Sequence, residues 1–206
     1  MRTVPTYLTE LKETPSQTAG PYVHIGMTPN WSGITGVYPE DLGLEVIKDG
    51  VKGERITVNL RVIDGGANPV ADCVVEIWQA DAGGIYNSPA EHRGKADPNF
   101  IGWGRFPTDE EGRLSFETVK PGAVPGPNGT MMAPHITLWI VARGINIGLM
   151  TRMYFSDEEA ANARDGVLAK ARMIGRDKTM IGKREGDTVT FDIYLQGENE
   201  TAFLDV

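Results

Sequence analysis

From Arg55 to Asp64 every second residue is apolar: Ile56, Val58, Leu60 and Val62 alternate with Thr57, Asn59 and Arg61. Period two marks a strand with one face on a core, because successive side chains point to opposite sides of a sheet. The pattern recurs down the chain. Cys73, Val75 and Ile77 stand opposite Val74, Glu76 and Trp78, and Leu114, Phe116 and Thr118 alternate with Arg113, Ser115 and Glu117. His135, Thr137, Trp139, Val141 and Arg143 share one face of the next strand, His135 to Ala142. Leu149, Thr151, Met153 and Phe155 share one face of another, and Val189, Phe191, Ile193 and Leu195 one face of the last. Turn chemistry separates them, at Asp64-Gly65-Gly66, at Asp109-Glu110-Glu111-Gly112 and from Pro121 to Gly129. The link Arg143-Gly144-Ile145-Asn146 is too short for a helical crossover, so the strands it joins are antiparallel neighbours. Six or seven strands at this spacing predict an all-β fold, a β-sandwich of two sheets.

Two segments depart from the pattern. Ser156-Asp157-Glu158-Glu159 has the form of a capping box with acidic residues in the first turn, and predicts a helical excursion to about Arg172 that Gly166 weakens. Residues 1–40 lack periodicity, and Pro15, Gly20 and Pro21 predict a mostly extended N-terminal arm with a tight bend. On composition alone two readings compete, a surface tail and an arm laid across a partner through Thr18, Pro21 and Tyr22, and the tail is preferred. At 206 residues the whole, 1–206, reads as a single domain.

A formal net charge of -8 disfavours nucleic acid and anionic membranes, which reward clustered Lys and Arg. Cys73 is the only cysteine, so no intrachain disulfide forms, and its apolar neighbours make it a core residue. No apolar run is long enough to span a bilayer and the first 20 residues hold no signal-like core, so the expected location is the cytoplasm. There is no phosphate loop, dinucleotide fingerprint, Cys-x-x-Cys or His-Glu-x-x-His. The long irregular segment from Asp81 to Phe100 carries His92 between Glu91 and Arg93, where a solvated side chain is the plain expectation. Arg143, at the rim of its strand, is either an ordinary surface arginine or a bidentate fork for a carboxylate.

His135-x-Thr137 is the most informative local feature. Side chains two apart on a strand share a face with roots roughly 6.5–7 Å apart, so a His-x-His pair there would chelate a metal. Here the second position is a threonine. Taken alone, His135 reads as a hydrogen-bonded sandwich histidine in preference to a metal ligand.

Several segments together resemble the intradiol ring-cleaving dioxygenases: Glu13 to Tyr22, Glu76 to Tyr86, Asp97 to Arg105, Thr118 to Gly126, Ala133 to Ile136 and Ala142 to Asn146. The resemblance runs from about Glu13 to the C-terminus, and it is to the alpha-type chain of the family's two-chain members. It implies a ferric ion held by two tyrosines and two histidines of a partner beta chain, and a larger hetero-oligomer of both chains. It implies cleavage of 3,4-dihydroxybenzoate by dioxygen to 3-carboxy-cis,cis-muconate. In this chain the resemblance aligns Val124 with one family tyrosine, His135 with the first histidine and Thr137 with the second. The other tyrosine belongs ahead of Asp97, where His92 and Arg93 stand and Tyr86 comes too early; a family arginine is replaced by Met132. A lone imidazole does not hold iron, so the expectation is no metal in this chain and no catalytic residue of its own. The resemblance also implies that Thr18, Pro21 and Tyr22 of the arm, with Arg143, line the partner's substrate cleft, Arg143 facing the carboxylate. The rival from another class is a non-catalytic β-sandwich scaffold without a beta partner.

Overall fold

The structure, a computed structural model, describes residue 20, residues 22–146 and residues 148–205. Thr18 and Pro21 lie outside them. In chain order the elements are α1 (Val23–Met27), β1 (Arg55–Ile63), β2 (Val74–Trp78), β3 (Trp103–Pro107), β4 (Arg113–Val119), β5 (Val124–Pro125), β6 (Met131–Met132), β7 (His135–Val141) and β8 (Leu149–Phe155). They continue with α2 (Glu159–Asn162), α3 (Gly166–Met173), β9 (Ile181–Glu185) and β10 (Thr188–Tyr194).

Among the described residues eight strands form one continuous sheet in the order β3-β2-β7-β8-β9-β10-β1-β4, and β5 and β6 pair separately. The two layers of the sandwich are halves of that sheet. Val75, Ile77, Ile136, Leu138, Ile140 and Met153 from one half meet Ile56, Val58, Leu60, Phe116, Phe191 and Ile193 from the other in a single core. Each of these side chains contributes about 1.5–3 kcal/mol by leaving water. The junction is β9. Its start pairs parallel with β8 (Phe155 opposite Gly182) and its end antiparallel with β10 (Glu185 opposite Thr188). β7 and β8 are antiparallel, as their short link requires.

Alternation does not announce β3 or β9, and the reason is the same for both. One inward position of each is a glycine. A Cβ on Gly104 would sit 2.6 Å from the Phe106 ring, and one on Gly182 would sit 3.0 Å from Met153 Sδ and from Val189 Cγ1. Backbone fills the place of a side chain, so the apolar beat is lost.

The helical excursion forms as two short helices rather than one. Ser156 and Glu159 make no capping box: Ser156 Oγ instead accepts from the Arg184 amide at 2.9 Å, and the residue before α2, Glu158, has no capping hydrogen bond. The break falls just before Gly166, where Asp165 turns extended and caps α3 through the amides of Val167 and Leu168. At the N-terminal end, α1 is followed by a turn that Asp41 ties down, its two carboxylate oxygens each accepting a 2.8 Å bond from the amides of Asn30 and Trp31. Arg105 reaches across from β3 to the Met27 carbonyl and pairs with Glu76 at 2.6 Å, fixing α1 to the outer face. Cys73 is fully buried, and burial pushes its thiol up, so it is a packing residue. No described helix is long and apolar enough to cross a membrane.

Candidate functional site

With Ile136, Leu138 and Met153 committed to the core, the residues between them are turned to the outer face of the sheet. Register then brings particular side chains together. Thr137 lies opposite Trp78 on one side and Arg152 on the other, and His135 lies opposite Tyr154. This face is roofed by loops: His135 is 4% exposed and Tyr154 fully buried.

The roof has two parts. The first is the turn that carries Val124, which is buried and pairs with Met132 across β5 and β6. The chain then passes Ala133, whose amide donates to Asp165 Oδ2 at 2.9 Å, while the Tyr154 hydroxyl donates to Asp165 Oδ1 at 3.0 Å. One buried carboxylate thus joins the turn, β8 and α3. The second part is the loop from Asp81 to Phe100. Asp81 organises it, Oδ1 accepting from the amides of Gly83 and Ile85 at 2.9 Å and Oδ2 from that of Asp97 at 3.0 Å. Gly84 has φ +78°, and a Cβ there would meet the Ala123 carbonyl oxygen at 2.3 Å, so only glycine lets loop and turn close on each other. The loop delivers Tyr86, which stacks on Trp78 with centroids 5.9 Å apart and planes 2° from parallel.

His135 Nδ1 lies 2.7 Å from the Ala133 carbonyl oxygen. A carbonyl only accepts, so Nδ1 carries the hydrogen and Nε2 is the basic nitrogen. Burial, helped by the Arg152 charge, pushes the imidazole down to about 4. The Tyr154 phenol is pushed up by burial, and so is that of Tyr86, against the opposing pull of the Arg152 and Arg93 charges. The Arg152 guanidinium lies against Met132 and Tyr154 on this face. Nη1 is 3.3 Å from Met132 Sδ and 3.5 Å from Tyr154 Oη, and Nε is buried with no hydrogen-bond partner among the described residues. Sequence reasoning missed Arg152. Its outward place in the Leu149–Phe155 alternation was visible, but its position opposite Thr137 depends on register.

The other residues singled out from the sequence lie elsewhere. His92 is exposed, and Glu91 pairs with Arg93 at 2.9 Å. Arg143 follows β7 at the end opposite His135, eight residues along. At about 3.3 Å per residue that separates the two by roughly 25 Å. Its guanidinium pairs with Asp72, and its side chain is 63% exposed. Tyr22 precedes α1 and is 77% exposed. Among the described residues no hydrogen bond, ion pair or ring contact links Tyr22 to Arg143.

A family model described as "Dioxygenase" matches residues 29–197, and the chain belongs to that family, the intradiol dioxygenases. It is 42% identical over 200 residues to the protocatechuate 3,4-dioxygenase alpha chain of Pseudomonas putida, covering 95% of this chain and 97% of that one. It is 38% identical to the protocatechuate 3,4-dioxygenase beta chain of Burkholderia cepacia, over 81% of this chain and 75% of that one. The solved dioxygenase domain of a carbohydrate-binding fusion protein from Streptomyces sp. SirexAA-E has the same fold, with a TM-score of 0.58 at 23% identity over 93% of this chain and 100% of that one.

The family is iron-dependent, and the residues on this face do not fit the ion. Val124 is apolar, Thr137 offers a neutral hydroxyl, and Arg152 adds a positive charge where a metal would need negative ones. Among the described residues no group of three or more His, Cys, Asp or Glu is placed to hold a metal ion.

Proposed function

We propose that this chain is the alpha subunit of a cytoplasmic protocatechuate 3,4-dioxygenase, acting with a protocatechuate 3,4-dioxygenase beta chain that carries the ferric ion. The observation that carries the reading is a pairing of two facts. Similarity to an alpha chain extends over nearly the full length of both chains, and the face where the fold would seat a metal holds Val124, Thr137 and Arg152. The complex inserts both atoms of dioxygen between the hydroxylated carbons of 3,4-dihydroxybenzoate, giving 3-carboxy-cis,cis-muconate.

This chain's part is to bind and orient. Thr18, Pro21 and Tyr22 form one wall of the beta chain's substrate cleft, and Arg143 receives the substrate carboxylate. The separation of Arg143 from the His135 face supports that division, since a residue roughly 25 Å from its own chain's metal position is free to serve another's. The exposed Tyr22 ring and the largely exposed Arg143 stem are both accessible to a partner. Pairing with Asp72 holds the guanidinium in place before substrate arrives, which lowers the ordering cost of binding.

Iron content and the visible absorption of ferric tyrosinate, measured on the lone chain and on the chain co-expressed with a beta chain, test the reading. A colourless, iron-free lone chain and a coloured, active complex are expected. Stoichiometric iron and colour in the lone chain would make it a complete enzyme. A colourless chain that forms no active complex would make it a scaffold.

A further inference from the structure

The groups in contact with the Arg152 guanidinium are a thioether and a phenol, with an imidazole and a second phenol within reach of its charge. Met132 Sδ and Tyr154 Oη lie 3.3 and 3.5 Å from Nη1, and the His135 and Tyr86 side chains both respond to it electrostatically. These are lone-pair donors from β6, β8, β7 and the Asp81–Phe100 loop. Such a shell suits a cation. Among the described residues no carboxylate lies within ion-pair range of Arg152. A metal position that had merely decayed would fill with apolar groups, as Val124 does on the same roof. A guanidinium kept there without a carboxylate carries a desolvation cost, which these donors offset only in part, as the bare Nε shows.

We propose that Arg152 is the resident cation of this face: a fixed protein charge, anchored from β8, that stands where a metal ion would and excludes one even when ligands are supplied. The inference rests on the reading of this chain as the subunit without iron, and it names the group that keeps iron out. An arginine suits this role better than a lysine or histidine would. Those residues give up a proton and yield to a metal, whereas a guanidinium stays charged at every working pH. A divalent ion brought within a few ångströms meets a like charge on a half-buried face, which weakens its binding at least about a hundredfold.

The test compares the full-length variants Val124→Tyr/Thr137→His and Val124→Tyr/Thr137→His/Arg152→Gln, titrated with cobalt(II) and followed by its visible d–d bands. The triple variant is expected to bind at least about a hundredfold more tightly than the double variant. Equal affinities, or binding by neither, would overturn the proposal. Circular dichroism establishes that both are folded. If either is not, the wild-type chain decides the matter by nitrogen-15 NMR: an enclosed Arg152 Nε–H gives a signal that exchanges slowly with water at neutral pH, and fast exchange overturns the inference. Iron in the untouched lone chain would instead count against the subunit reading, so the two failures are distinguishable.

Discussion

Thr137 and Arg152 are direct cross-strand neighbours on the outer face of the β7–β8 ladder. The core sets this pairing. A slip of one residue would turn Ile136, Leu138 and Met153 to the outer face and cost their burial, so the guanidinium cannot wander along the strand. Its chemistry on one face is fixed by hydrocarbon packing on the other.

Arg143 lies far from that pair and has a separate consequence. In the assembled enzyme Arg143→Ala should raise KM for 3,4-dihydroxybenzoate by about tenfold or more, the size of one lost charge-assisted hydrogen bond. Iron content should not change. Steady-state kinetics with iron analysis checks this, and unchanged kinetics would remove Arg143 from the cleft.

His135 makes stability depend on pH. Its folded value is about 4 against an ordinary 6.5. Between those values the unfolded chain takes up a proton that the folded chain refuses. The contribution is therefore complete above pH 6.5 and is lost as pH falls toward 4, by up to about 3 kcal/mol. Urea midpoints measured from pH 7.5 to 4.5 should fall more steeply for the wild type than for His135→Asn.

Asp165 accepts from the Ala133 amide, the Tyr154 hydroxyl and the amides of Val167 and Leu168, at distances from 2.8 to 3.1 Å. Asp165→Ala strands these donors away from water and removes the cap of α3. A loss of about 3 kcal/mol or more is expected, read as a fall in Tm.

Gly84 and Gly33 make a matched pair, with φ of +78° and +79°. Gly33 has open space around it, so Gly33→Ala should cost only the left-handed penalty of about 1–2 kcal/mol. Gly84→Ala also drives a methyl into the Ala123 carbonyl and should cost roughly twice as much. Equal losses in chemical denaturation would show that the loop and turn do not close as described.

The strands with a side chain at every inward position were legible as alternation: Ile56, Val58, Leu60 and Val62 fall on the core in the register that the pattern implies. β3 and β9 were not, because Gly104 and Gly182 contribute space to the core instead of surface. The capping motif at Ser156 was outbid by tertiary structure, since the Arg184 amide claims the hydroxyl and Asp165 makes a stronger start further on. That Val124 and Thr137 carry neither phenol nor imidazole could be read by position. The place of Arg152 beside Thr137 could not, because it comes from what stands across the ladder.

β9 belongs to both layers, and this bears on how the molecule comes apart. Neither half can detach without breaking the pairing of β9 with Tyr154 and Phe155 of β8 or with Thr188, Val189 and Thr190 of β10. The sandwich should therefore open as one cooperative unit. Protected amides of β7 and of β1 should exchange with deuterium through a common global event and share its denaturant dependence, although they sit in opposite layers.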